Sequence, residues 1–184
     1  DCEAAEIRQV RKGLMALGTI MLQELCKRLK SGARIASMGY PDMIAPLDVL
    51  EQYVDVRSLE YRKDSETICK RHGLQYRGIP DAQSFFKALR CELDVFDIVQ
   101  ERGGEIQRDL NDEDFFECLE GKDWLLHYDV VLDVGTLEHC FNIGYAIVNM
   151  VNLLKNGGII FHENPFNWGN HGFYNLNPTF YADF

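Results

Sequence analysis

Apolar residues recur along this chain in two rhythms. Between Glu3 and Lys30 they fall at helical spacing, at Ile7, Val10, Leu14, Leu17, Met21, Leu25 and Leu29, with charge on the other face. That spacing predicts an amphipathic N-terminal helix within residues 1–32, broken near Gly18 and ended by Ser31-Gly32. The run ARIASM, Ala33 to Met38, predicts a first buried strand, and Gly39-Tyr40-Pro41-Asp42 the turn after it. Leu47, Leu50 and Val54 share one face of a short helix within Met43 to Val54. Residues 57–80 are heavily charged and lack a clear period. They predict a charged insertion or lid, with one short helix around Glu66 to Arg71.

The second half alternates more sharply. Asp81 to Leu89 reads as a helix capped by Asp81, and Glu92 to Ile98 as a second strand ending in acids. Gly103-Gly104 turns the chain into a short third strand, Glu105 to Arg108. A helix from Asp112 to Leu119 is expected to turn Phe115, Phe116 and Leu119 inward. Tyr128 to Val134 is β-branched and apolar enough to be buried on both faces. Asn142 to Leu154 predicts a helix with Ile143, Ala146, Ile147, Met150, Val151 and Leu154 inside, closed by Lys155-Asn156-Gly157-Gly158. Ile159 to His162 is the next strand, and residues 163–184 read as a long, ordered aromatic loop. Strands alternating with helices predict one α/β domain, a mostly parallel, Rossmann-like sheet with helices on both faces.

Charge narrows the partners. The 184 residues carry a formal net charge of −10, which disfavours binding to phosphate backbones or an anionic membrane surface. A small-molecule substrate is expected, with no nucleic acid and no membrane. The cysteines at 2, 26, 69, 91, 118 and 140 are scattered without a CxxC. They read as free thiols of a reducing compartment, so a cytoplasmic protein is expected. No apolar run is long enough to span a bilayer.

The run YDVVLDVGTLEHCFN (Tyr128 to Asn142) followed by LLKNGGIIF (Leu153 to Phe161) resembles the second half of a class I S-adenosylmethionine-dependent methyltransferase. In that family the fourth strand commonly ends in Leu-Glu-His, and a Lys-x-Gly-Gly turn leads into the fifth. The blocks DLN (Asp109 to Asn111), GTLEHCFN (Gly135 to Asn142) and NHGFYNLNPTFYADF (Asn170 to Phe184) are similar to a subgroup with a His-Gly-Phe-Tyr stretch after the fifth strand. The chain departs from the family at the first turn, where SMGYPDM keeps only Gly39 of the usual glycine-rich loop. A complete fold of this family adds two strands after the fifth. Residues 163–184 leave no room for both, so an incomplete sheet or a missing C-terminal piece is expected.

The resemblance implies S-adenosylmethionine as cofactor and methyl transfer to a small acceptor, a sugar or another metabolite. It implies a cofactor wall of Gly39 and Tyr40 after the first strand, Asp97 (Asp94 in second place) on the ribose hydroxyls, Asp109 with Leu110 and Asn111 at the adenine, and Asp133, Gly135 and Thr136 near the sulfur. The strand-end acids equally serve as caps, and Asp-x-Asn is an ordinary helix N-cap. His139 is the expected base, with Glu138 orienting a substrate and His171 as a second base. Equally, His139 hydrogen-bonds a backbone group and Glu138 holds a helix end. Asn167, Trp168, Phe173 and Tyr174 are expected to shape an acceptor pocket or to join the core. His139, His162, Glu163 and His171 all follow strand ends, yet no HExxH-type spacing supports a metal, and none is expected. A methyltransferase fold without catalysis, acting as a binding or assembly module, is the alternative. A nicotinamide dehydrogenase is disfavoured, because no GxGxxG follows the first strand.

Overall fold

A computed structural model describes residues 16–117 and 124–183. The helical pattern at Ile7, Val10 and Leu14 lies outside the described residues, as do Cys2, Cys118 and Leu119. Five parallel strands form one sheet in the order β3-β2-β1-β4-β5. They are β1 (Arg34–Met38), β2 (Glu92–Asp97), β3 (Glu105–Gln107), β4 (Tyr128–Val134) and β5 (Leu154–Glu163). The chain builds outward from β1 to β3, then crosses back to lay β4 on the other side of β1. This is the Rossmann-like α/β arrangement, and its order reverses between β1 and β4.

Helices cover both faces. On one, α1 (Thr19–Arg28), α2 (Leu47–Leu50), α3 (Ser65–Arg71) and α4 (Ala82–Ala88) bring Leu22, Leu25, Leu50, Ile68, Phe85 and Phe86 against Ile35, Val95, Val130 and Leu132. On the other, α5 (Ile143–Leu153) brings Ala146, Ile147, Met150 and Leu153 against Ala36, Met38 and Val131. Phe96 joins them, edge-on to Trp124 at 5.1 Å and to Tyr128 at 5.9 Å. The strand period of two assigns each residue to a face, so β4 buries Val130, Leu132 and Val134 on one side and Val131 on the other.

Polar groups fix how the strands meet. The Asp129 carboxylate accepts from the Arg34 amide at 2.8 Å and from Lys155 Nζ at 2.9 Å, so it ties β4 to the start of β1 and to β5. Tyr128 donates to Asp94 at 2.7 Å, which occupies the acid considered second for a ribose. The register of β4 against β5 shifts between Tyr128 and Val130, where Lys155 to Gly158 are looped out of the pairing.

Several expected elements differ. Among the described residues the N-terminal helical pattern forms a helix from Thr19, with Gly18 at its cap where a break is expected; just before it, Ala16 bridges Asp42 and Leu17 N–H donates to the Asp42 carbonyl at 2.8 Å. Residues 57–80, expected as a charged insertion or lid, hold the short helix expected around Glu66 to Arg71 and also contribute to the core. They bury Leu59, Ile68, Cys69 and Ile79 in the core, and Arg77 donates to the Ile44 and Ala45 carbonyls. The expected helix at Asp112 is a series of turns through Glu117. The Asn149 amide donates to the Leu110 and Asp112 carbonyls at 3.1 and 2.8 Å, which pins these turns to α5. The inward Asn149 also centres the buried stripe of α5 on Ala146, Met150 and Leu153, leaving Val151 at 41% exposure. Helix α5 ends at Leu153, and Lys155 serves Asp129 rather than a helix end. In the expected aromatic loop, β5 runs on to Glu163 and a helix, α6 (Pro178–Asp183), follows, its first turn capped by Asn177 Oδ1 accepting from Phe180 N–H at 3.2 Å.

Just past β1, Asp42 is 2% exposed and accepts from Arg102 at 2.5 Å, His72 at 2.9 Å and Arg71 at 3.2 Å. Burial opposes its ionisation, but the His72 hydrogen bond and the Arg102 charge outweigh that and hold its carboxyl below the usual range. A depressed folded-state pKa contributes stability above the unfolded value, and that stability is lost as pH falls through the folded value. Replacing one member of a buried charge cluster typically costs about 3–5 kcal/mol. Asp42→Asn is therefore expected to lose about that much in urea denaturation at pH 7, and the gap to wild type should narrow as pH is lowered below the ordinary carboxylate range.

Candidate functional site

The turns after β1 and β4 sit side by side at the point where strand order reverses. Gly39 has φ +81° and Gly135 φ +78°, conformations that suit glycine. Gly39 N–H donates to the Phe96 carbonyl at 2.7 Å, and Thr136 Oγ1 donates to the Met38 carbonyl at 2.5 Å. Three consecutive strands are thereby knitted together at their carboxyl ends, where open α/β sheets bind ligands.

Asp133 is wholly buried beneath these turns. Its Oδ1 accepts from the amides of Leu137 at 2.9 Å and Thr136 at 3.3 Å, shaping the 3₁₀ turn Leu137–His139. Its Oδ2 takes His162 Nδ1 at 2.8 Å and Asn164 Nδ2 at 2.9 Å. Asp133 thus faces inward and organises the strand ends rather than lining a cofactor wall.

Asn164 continues the network. The same Nδ2 reaches Glu138 Oε2 at 3.1 Å, and its Oδ1 accepts from the Tyr181 hydroxyl at 2.6 Å. Glu138 is also wholly buried; burial pushes its carboxyl above the usual range, against the hydrogen bonds from its own backbone and from Asn164. Glu138 Oε1 lies 3.2 Å from His171 Nε2 and 3.9 Å from His139 Nε2. The His139 and His171 rings are 5.0 Å apart, and Trp168 stacks on His171 at 4.2 Å. The three residues expected to face an acceptor are therefore together, although they come from two distant segments. Backbone bonds hold those segments: Phe173 and Tyr174 N–H donate to the Glu138 carbonyl at 2.8 and 3.3 Å.

The remaining expected positions are distributed. Asp97 closes β2 half-buried, accepting from Val99 N–H at 3.2 Å, and burial raises its carboxyl pKa. Asp109 Oδ1 accepts from the Asn111 amide and side chain at 2.8 and 2.6 Å, and Asn111 Oδ1 accepts from Asn142 N–H at 2.8 Å. Asp109-Leu110-Asn111 is thus a closed turn docked on the start of α5, with Leu110 buried. Tyr40 departs most from the expected wall. It is 3% exposed, donates to Asp81 Oδ2 at 2.5 Å and has the guanidinium groups of Arg62 and Arg102 at 5.0 and 5.7 Å from its ring centre. Burial of Cys140 beside His139 pushes its thiol up to about 12, away from the thiolate a nucleophile needs.

Of the expected acceptor-pocket aromatics, Phe173 and Trp168 are at least half exposed rather than core, and Phe173 meets the exposed Phe141 edge-on at 5.7 Å. Asn164, which joins the two buried acids, was not evident from the sequence. Its only signal is its position two residues beyond the His162 that ends the predicted strand. His162 and Glu163 do not join His139 and His171; His162 is drawn to Asp133 instead.

Compared with family models, with curated proteins and with solved structures, the chain matches none of the three.

A side chain at position 172 would break the seam between the two segments. A Cβ there would lie 2.6 Å from the Glu138 carbonyl oxygen and 3.0 Å from its Cγ. Gly172→Ala is expected to cost about 1–3 kcal/mol. Hydrogen exchange at the Phe173 and Tyr174 amides should accelerate well before that of the β4 amides.

Proposed function

We propose that the chain binds S-adenosylmethionine across the carboxyl ends of β1, β2 and β4 and transfers its methyl group to a small-molecule acceptor. The observation that carries this reading is the pairing of Gly39 and Gly135, both at positive φ, on adjacent strand ends where the sheet order reverses. A glycine without a side chain in each turn at that point allows close approach of a ligand to backbone.

The residues fit such a cofactor in part. Asp97 at the end of β2 offers a carboxylate to a ribose diol, and the Gly39 and Gly135 backbones offer a close seat. Asp109 is turned into its own loop and supports the adenine side only through the loop it shapes. The cofactor supplies an electrophilic methyl on a sulfonium. The chain's contribution is to align an acceptor and hold its proton. His171, braced by Glu138 and stacked on Trp168, is oriented to accept a proton from an acceptor hydroxyl, with His139 beside it. Asp97 and the Gly39 and Gly135 backbones would hold the cofactor while its methyl group passes to the acceptor and S-adenosylhomocysteine departs.

A second reading, a methyltransferase-fold binding module without catalysis, is favoured by Tyr40. Beyond the single glycine, the first turn carries a buried side chain with two guanidinium groups near its ring instead of more open backbone.

Calorimetry separates the two. S-adenosylhomocysteine is expected to bind the full chain, and Asp97→Ala to weaken it at least tenfold, about 1.4 kcal/mol. Absence of binding by folded protein at millimolar ligand would leave the non-catalytic reading standing.

A further inference from the structure

We infer that Glu138, His139 and His171 form a binding site for a first-row divalent transition metal of the zinc or iron type. The side-chain donor atoms of all three lie within 4.8 Å of one another. Two ligands at about 2.1 Å from one ion, at tetrahedral or octahedral angles, stand about 3.0–3.4 Å apart. The 3.2 Å between Glu138 Oε1 and His171 Nε2 matches that spacing, and the 3.9 Å to His139 Nε2 is a fraction of an ångström wide.

The donor set decides the metal class. Two imidazoles and one carboxylate suit zinc, iron(II) or cobalt(II), whereas calcium and magnesium prefer oxygen throughout. Three protein ligands leave coordination positions for water or an acceptor oxygen, as catalytic rather than structural sites do.

The surroundings are built in the way metal ligands are held. Asn164 fixes the second carboxylate oxygen of Glu138 at 3.1 Å, and the Trp168 ring lies parallel to His171 with 10° between planes. The Phe173 and Tyr174 amides lock the His171 segment onto the Glu138 backbone. Charge points the same way. Asp133 and Glu138 are both wholly buried and share Asn164. Among the described residues, the ion-pair partners of these two carboxylates are histidines: His162, His139 and His171. A divalent ion placed there would offset the negative charge of two buried carboxylates.

Sequence spacing hides this site, because no short motif joins a turn after β4 to a loop after β5. The inference does not depend on methyl transfer and holds whether or not the chain binds S-adenosylmethionine. Within that reading, the ion would hold the acceptor oxygen and lower its pKa, and His139 and His171 would serve as its ligands in place of a base.

The test uses the full chain without an affinity tag, stripped with chelator and titrated with zinc and with cobalt(II) by calorimetry and visible absorption. One ion per chain is expected, with cobalt absorption in the visible region. His139→Gln and His171→Gln should each weaken binding at least tenfold. His127→Gln, at the opposite end of the sheet beside Arg34, should leave it unchanged. If His171→Gln does not fold, His139→Gln carries the comparison, because that ring is already a quarter exposed. Absence of stoichiometric binding by the folded wild-type chain overturns the site, and so does affinity equal in wild type and the folded His139 variant. S-adenosylhomocysteine calorimetry on the same sample reads the methyl-transfer proposal separately.

Discussion

A carboxylate that has lost its water must be satisfied by its neighbours, and Asp133 draws its neighbours from separate stretches of chain. One oxygen takes the amides of the turn that follows β4; the other takes His162 from β5 and Asn164 beyond it. Each hydrogen bond to a charged group is worth about 1.5–3 kcal/mol net, against a desolvation cost of several. Only the full set balances that cost. The need of one acid therefore places the 3₁₀ turn, the exit of β5 and, through Asn164, the second buried acid Glu138. The Gly39 and Gly135 turns, the histidine pair and the stacked Trp168 all stand on that frame.

The sheet was legible because its strands are short apolar runs bounded by glycine and acid. Val130 to Val134, Ile35 to Met38 and Val95-Phe96 declare themselves by composition alone. Helix α4 was legible through Asp81, whose Oδ1 accepts from Ser84 N–H at 3.0 Å, the expected cap geometry. What composition obscured was long-range polar contact. The Asp112 segment has a helical pattern, but Asn149, 37 residues away, donates to its carbonyl and pins it to α5 as turns. The 57–80 segment looks solvated because its charges outnumber its apolar residues, yet Ile68 and Ile79 are wholly buried while the charges face out or pair. The signal for α6 was present: Asn177-Pro178 places a capping side chain before a proline suited to the first helical position.

At the site, residue types were legible and their partners were not. Glu138, His139 and His171 stood out as chemistry after strand ends, and the fold brings them together. Their juxtaposition depends on a loop that doubles back, and a linear pattern carries no measure of that. Tyr40 was misplaced for the opposite reason. Its position after the first strand suggests a cofactor wall, but Asp81, Arg62 and Arg102 lie 22 or more positions away in sequence and hold it in the interior. Buried acids such as Asp133 read in sequence as site residues because acids are seldom buried without cause. Here the cause is architectural.

The pairing of Asp133 with His162 across β4 and β5 also acts as a proofreading device for strand register. Side chains alternate between faces, so a slip of one residue would present Phe161 or Glu163 to Asp133 in place of His162. The first offers the buried acid no donor, and the second sets carboxylate against carboxylate. A misaligned β5 is thus penalised at the same spot where the correctly aligned strand assembles the histidine cluster, so correct registration and a complete site arise together.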